Sequence, residues 1–187
     1  VNHYNDQSDI FFTCHEFSYN KIAEAYEPYL GLIRQMFHRY CSGTLEEFME
    51  ECDVYKLQRP VFESYFENGF CERTEQILID EVEYEQERMR NSIVTMLQKL
   101  SEIRPVVIVL NRFQLASKST MQLTNRLLQT KNKNIGIVLG VNGVQSIPEF
   151  AHEEWDAICE SMDDRNMVYH IGNAGRNMEP DVMDYYS

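Results

Sequence analysis

Residue types able to do chemistry are scattered along this chain rather than set at a recognised spacing. Cys14 and His15 are adjacent, and His38 and Cys41 stand three apart. These are zinc-ligand types, but a zinc site needs three or four of them converging, each held by further hydrogen bonds. Nothing in the spacing joins the two pairs, so no metal site is expected. Glu81, Glu83, Glu85 and Glu87 alternate, which on a helix spreads them around the axis as a solvated face rather than pairing them as acid and base. Glu153-Glu154 and Asp163-Asp164 read as surface charge in preference to a cation site. Tyr26, Tyr29 and Tyr40 fit half-buried helix positions better than a platform for stacking bases. The chain carries no G-x-S-x-G, no H-E-x-x-H and no G-x-x-x-x-G-K-[ST], so nucleophile elbow, zincin helix and phosphate-cradling P-loop are all missing from it. What remains is a set without motif spacing: Asn111, Arg112, Asn142 and His170. An active enzyme built on these would hold a phosphate or carboxylate in the fork of Arg112 and use His170 as base. We retain that as the alternative reading.

The elements that position these residues follow from periodicity. Ile10 to Cys14 is a short apolar run suited to a buried strand. Tyr29, Leu30, Ile33, Phe37 and Tyr40 recur at three and four residues, predicting a helix over about 22–40 with Pro28 near its start. Thr44-Leu45-Glu46-Glu47 has the form of a capping box, and a further short helix is expected from about Pro60 to Asn68-Gly69. Glu72 to Ile103 contains neither Gly nor Pro. It reads as one long helix, polar over 81–90 and there exposed or covered by a partner, then packed on the sheet through Ile93, Met96, Leu97, Leu100 and Ile103. After Pro105, Val106 to Leu110 is the strongest strand signal. Apolar on both faces, it belongs inside a parallel sheet with helices on each side. Ser119 with Gln122 is expected to cap a helix that runs to about Thr130 and buries Leu123, Leu127 and Leu128. Ile135 to Gly140 reads as a second buried strand, and Pro148 as a helix start leading through Phe150, Trp155, Ile158 and Met162. Met167 to Ile171 reads as a further strand, and Gly172 to Met178 as a loop. Strand and helix alternating at these spacings predict right-handed βαβ crossovers in an α/β fold.

With 17 basic against 30 acidic residues, the 187-residue chain carries −13 at neutral pH. That charge disfavours nucleic acid and anionic membrane as partners of this domain. The one candidate basic patch, Lys118 with Arg126, Lys131 and Lys133, is better read as a solvated helix face. Five cysteines, odd in number and without C-x-x-C, suit a reducing cytoplasm rather than a disulfide framework. The length allows one domain, burying roughly 70% of its unfolded surface. Residues 1–9 are expected to be a flexible lead, and a start at Val1 reads as a piece of something longer. No run approaches the ~20 apolar residues of a membrane span.

The residues after Leu110 and Leu139 are the ones to weigh, because ligands of open α/β sheets sit at the carboxyl ends of the strands. Pro105 to Leu128, with Leu110-Asn111-Arg112-Phe113-Gln114-Leu115-Ala116-Ser117, resembles the Walker B strand and following helix of AAA-type ATPase domains in STAND-like bacterial regulators. Phe113, Gln114 and Ala116 keep that pattern. Ile135 to Gly140 with Val141-Asn142-Gly143 is similar to the family's sensor-1 strand, and Phe11 to Cys14 followed by Tyr26-Glu27-Pro28-Tyr29 to its strand and helix entry after the P-loop helix. The resemblance spans about Ile10 to Asn142. It implies a P-loop NTPase-like fold with a helical insertion at 42–104, and makes Asn111, Arg112, Gln114 and Asn142 the remnants of a nucleotide site. In the family two acidic residues hold Mg²⁺ and polarise the attacking water. Here Asn111 and Arg112 stand in their place, a neutral amide and a cation, so metal-assisted hydrolysis should be lost. ATP and Mg²⁺ are implied as ligands only if a P-loop is supplied by the parent protein. The resemblance therefore implies a non-hydrolysing regulatory module of a signalling or transcription protein, whose partners are neighbouring domains or a second copy. A P-loop strand lies in the middle of the resembling sheet. A chain without one must close its sheet directly or receive a strand from elsewhere, and direct closure is the expectation.

Overall fold

A computed structural model describes residues 9–20, 25–68, 82–141 and 147–163. In chain order the elements are β1 (Phe11–Glu16), α1 (Glu27–Tyr40), α2 (Leu45–Glu51), α3 (Arg59–Asn68), α4 (Val82–Ile103), β2 (Val106–Asn111), α5 (Lys118–Gln129), β3 (Ile135–Gly140) and α6 (His152–Asp163). The three strands form one parallel sheet in the order β1-β2-β3, flanked by helices. β2 and β3 pair directly, Val106 opposite Ile135 and Asn111 opposite Gly140, so the sheet closes between them as expected. The region expected to be helical between the first two strands holds α2, α3 and α4. The strand and loop expected over 167–178 lie outside the described residues, as do Asn142, His170 and the lead 1–8.

Because paired residues of a sheet point to the same side, the register separates two faces. Phe11, Thr13 and His15 share one with Val106, Ile108, Leu110, Ile135, Ile137 and Leu139. Phe11, Val106, Ile108 and Leu110 are buried there, and the three β3 residues pack against the same core. That core is filled from α1 by Tyr29, Leu30, Ile33 and Met36, from α4 by Ile93, Met96, Leu97 and Leu100, and from α5 by Met121, Leu123 and Leu127. α1 packs on α4, and α5 on α6. The opposite face carries Phe12, Cys14, Glu16, Val107, Val109, Asn111, Gly136, Val138 and Gly140. Val138 there is 52% and Phe12 37% exposed. The expectation of helices on each side of β2 therefore holds on one face of the sheet among the described residues. β3, expected to be buried, alternates between half-buried and exposed positions as an edge does.

Two boundaries and one helix face differ from the periodic reading. α1 begins at Glu27 because Tyr26 takes a left-handed backbone (φ 63) and gives its N–H to the Thr120 hydroxyl at 3.1 Å. The cap of α5 is Ser117, whose Oγ accepts from Thr120 N, not Ser119. Gln122 instead accepts from Arg90 and donates to Glu154. In the polar first half of α4, Glu83, Tyr84 and Gln86 are exposed as expected, while Gln58 donates to the Glu85 carbonyl and Glu87 accepts from Arg90 and Arg126. The capping box is present as read, with Thr44 Oγ1 accepting from Glu47 N and Glu47 Oε2 accepting from Thr44 N at 2.9 Å.

Candidate functional site at the strand ends

Three strands end together at Glu16, Asn111 and Gly140, which are direct register partners. Here the chain must turn out of the sheet, and Arg112 does so with a left-handed backbone (φ 55) before the short 3-10 turn Phe113–Leu115. That conformation costs an L-residue about 1–2 kcal/mol, and Arg112 holds it beside an ion pair, its Nε 3.2 Å from Glu16 Oε1. Asn111 Nδ2 lies 3.8 Å from Cys14 Sγ. Its Oδ1 would come within 2.9 Å of a Cβ at position 140, so the glycine there leaves room for the amide to lie across β3. Phe17 continues the ladder by donating its N–H to the Asn111 carbonyl at 3.1 Å. Beneath the turn, rings succeed one another: His15 against Phe17, Phe17 against Phe113, Phe113 against Trp155.

Asn111 and Arg112 stand side by side at the end of β2, and Gln114, two residues on, is 1% exposed within the 3-10 turn. Asn142 and His170, which the enzyme arrangement needs, lie outside the described residues. Cys14 and His15, adjacent in one strand, point to opposite faces, and His38 sits against Phe37 and Phe66. Among the described residues no group of three or more His, Cys, Asp or Glu converges as a metal site. The candidate basic patch is partly neutralised, Lys118 by Glu154 and Arg126 by Glu87. Two surface readings are corrected. Glu154 is 7% exposed. Burial alone would raise its carboxyl, but bonds from Lys118 and Gln122 outweigh that and hold it below the usual range. Tyr29, expected to be half-buried, has no exposed surface. Burial pushes its phenol well above the ordinary value, with the Thr124 bond opposing in part.

Glu16 and Gly140 were not singled out by the sequence. Neither carries a signal until the register is known, and the apolar run read from the sequence ends at Cys14, two residues before Glu16. Chemically, the cluster offers one carboxylate already paired with a guanidinium, one amide and one exposed thiol. A hard divalent cation prefers several anionic oxygens, and the guanidinium beside Glu16 takes up the one carboxylate of this cluster among the described residues. The remaining donors of Arg112, whose side chain is 43% exposed, suit an oxyanion.

No protein family, no curated protein and no solved structure matches this chain. No helix among the described residues is long and apolar enough to cross a membrane.

Proposed function

We propose that the chain is a non-hydrolysing, ATPase-like regulatory or interaction module of a bacterial signalling or transcription protein, with a P-loop NTPase-like sheet interrupted by the helical stretch 42–104. The observation that supports it is the pairing of Arg112 with Glu16 beside Asn111 at the strand ends. In an ATPase working through Mg²⁺, carboxylates at this place hold the metal and orient water. Here the guanidinium occupies that ground and the neighbouring acid is spent on it. Asn111, Arg112, Gln114 and Asn142 are then remnants of a nucleotide site, and the module acts through contacts with other domains of its parent or with a second copy. ATP and Mg²⁺ enter only where the parent supplies a P-loop.

Calorimetric titration of the chain with ATP, with and without Mg²⁺, coupled to a phosphate-release assay, tests the proposal. No turnover, and no gain in affinity from Mg²⁺, is the expected result. Mg²⁺-dependent binding with turnover by the chain alone would overturn it and return Arg112 to an enzyme site.

A further inference from the structure

A cleft of about 290 Å³ lies where α4, α5 and α6 meet, and no residue of the strand-end cluster lines it. Its walls are polar, and their charges are sorted to two ends. At one end Glu87 is shared by two guanidinia, with Arg90 Nη2 at 2.8 Å and Arg126 beside it, so one positive charge is left over. At the other, Glu153 and Glu154 stand with one ammonium, Lys118, whose Nζ is 3.1 Å from Glu154 Oε1, which leaves one negative charge. Gln122 joins the ends, its oxygen accepting from Arg90 at 2.9 Å and its nitrogen donating to Glu154 Oε1 at 3.0 Å. Lys118 and Gln122 thus meet the same oxygen of Glu154. Oε2 is buried without a partner, the N–H of its own residue lying near it but outside hydrogen-bond geometry. An unpaired carboxylate oxygen on a residue 7% exposed is costly and calls for a donor. Arg126 gives one N–H to Glu87, and among the described residues its other donors are unused on a side chain 41% exposed. We propose that this cleft binds a free amino acid as its zwitterion, the ammonium on Glu154 and the carboxylate on Arg126.

The sorted charge selects the ligand. An anion alone meets the surplus positive charge but leaves Glu154 Oε2 unpaired, and a chain at −13 repels it from a distance. A cation alone leaves the guanidinium end unmatched. A water pairs Oε2 but neither surplus charge. A small molecule that is neutral as a whole, with opposite charges at its ends, answers all three. Gln122 and Arg126 are one turn apart on α5, about 6 Å of rise, so the two charges of the ligand must be close. An α-amino acid spans that distance with a charge-assisted hydrogen bond of about 2.8 Å at each end. The cleft volume, just under the ~300 Å³ at which drug-sized pockets begin, suits a ligand of that size. A turn about χ3, which is broad for glutamate, presents Oε2 to the cleft. This inference goes beyond the ATPase-like reading. ATP turnover would overturn that reading and leave the cleft untouched, and a failure to bind amino acids would do the reverse.

The common amino acids, titrated singly onto the full chain by calorimetry, test the proposal. At least one should bind saturably. Its methyl ester and its N-acetyl form each lack one of the two charges, and both should bind about tenfold more weakly or worse. Arg126→Gln removes the carboxylate contact, so the acid and its methyl ester should then bind alike, at the weaker level. Glu154→Gln should bring the acid and its N-acetyl form together in the same way. Should Glu154→Gln fail to fold, the Arg126→Gln comparison decides alone, since that side chain is 41% exposed. No saturable binding tighter than about 1 mM would overturn the proposal. So would equal binding of acid and ester to the wild type, or a difference between them that survives Arg126→Gln. Acetate binding as tightly as the amino acid would overturn it too, since the cleft would then take a simple anion.

Discussion

Replacing Arg112 tests whether the strand-end turn is set by charge or by backbone. Arg112 holds φ 55 and pairs with Glu16 at 3.2 Å. With side chains 43% and 57% exposed, the pair is screened and contributes about 0.2–1 kcal/mol. Arg112→Ala removes that contribution and keeps the left-handed strain, so a loss of about 0.5 kcal/mol is expected. Arg112→Gly removes the pair too, but relieves about 1–2 kcal/mol of strain. Against this stands about 0.4–1 kcal/mol for the freer unfolded chain. Glycine should therefore be more stable than alanine by about 0.5–1 kcal/mol, and close to the wild type. Urea unfolding followed by circular dichroism resolves this as a shift in midpoint at constant slope. Glu16→Gln should resemble Arg112→Ala in low salt, and both should converge on the wild type as salt rises. The reasoning fails if Arg112→Ala is as stable as Arg112→Gly. The turn would then not be strained, and the ion pair alone would hold it.

Other expectations concern the buried polar contacts and the caps that hold the site's scaffold. Thr124 donates its hydrogen to the Thr120 carbonyl at 2.7 Å, so Tyr29 must be the donor in its 2.5 Å bond to Thr124. Tyr29→Phe should then cost about 0.5–1.5 kcal/mol, and Thr124→Val more, about 1–3, because it strands a buried phenol. The double variant should cost less than the sum, and an additive denaturation cycle would refute the pairing. Glu47, its carboxyl held below the usual range by the Thr44 N–H and hydroxyl, stabilises α2 above the unfolded carboxyl value of about 4.3 and loses that role as pH falls through its lower folded value. The stability difference between wild type and Glu47→Gln, followed from pH 6 down to about 3, should shrink. A difference that stays constant would assign the cap to Thr44 alone.

Much of this architecture is legible from local pattern. Val106 to Leu110 and Ile135 to Gly140 are continuous apolar runs between turn signals, and they form the paired strands where read. Thr44 and Glu47 satisfy each other within four residues, so their capping box needs no tertiary help. What escapes the sequence is settled at long range. Tyr26 fits the helical stripe, yet a hydroxyl 94 residues away fixes its backbone outside α1. Ser119 with Gln122 has the spacing of a cap, but Gln122 is engaged by Arg90 and Glu154, each 32 positions away, and Ser117 caps the helix instead. Glu154 looks like surface charge because Lys118, which makes its burial tolerable, lies 36 positions earlier. An apolar run on both faces of β2 says that both faces want cover, but not which face the described helices supply.

Glu16, Asn111 and Gly140 form the last row of the sheet face opposite the core, directly beyond the row of Cys14, Val109 and Val138. The strand-end cluster therefore continues that face, polar at its end and apolar along its length. The pairing of Arg112 with Glu16 holds the guanidinium at this end, and Glu16→Gln releases it to an oxyanion. At constant ionic strength, phosphate should therefore raise the thermal midpoint of Glu16→Gln more than that of the wild type. Equal shifts would mean that the carboxylate does not restrain Arg112.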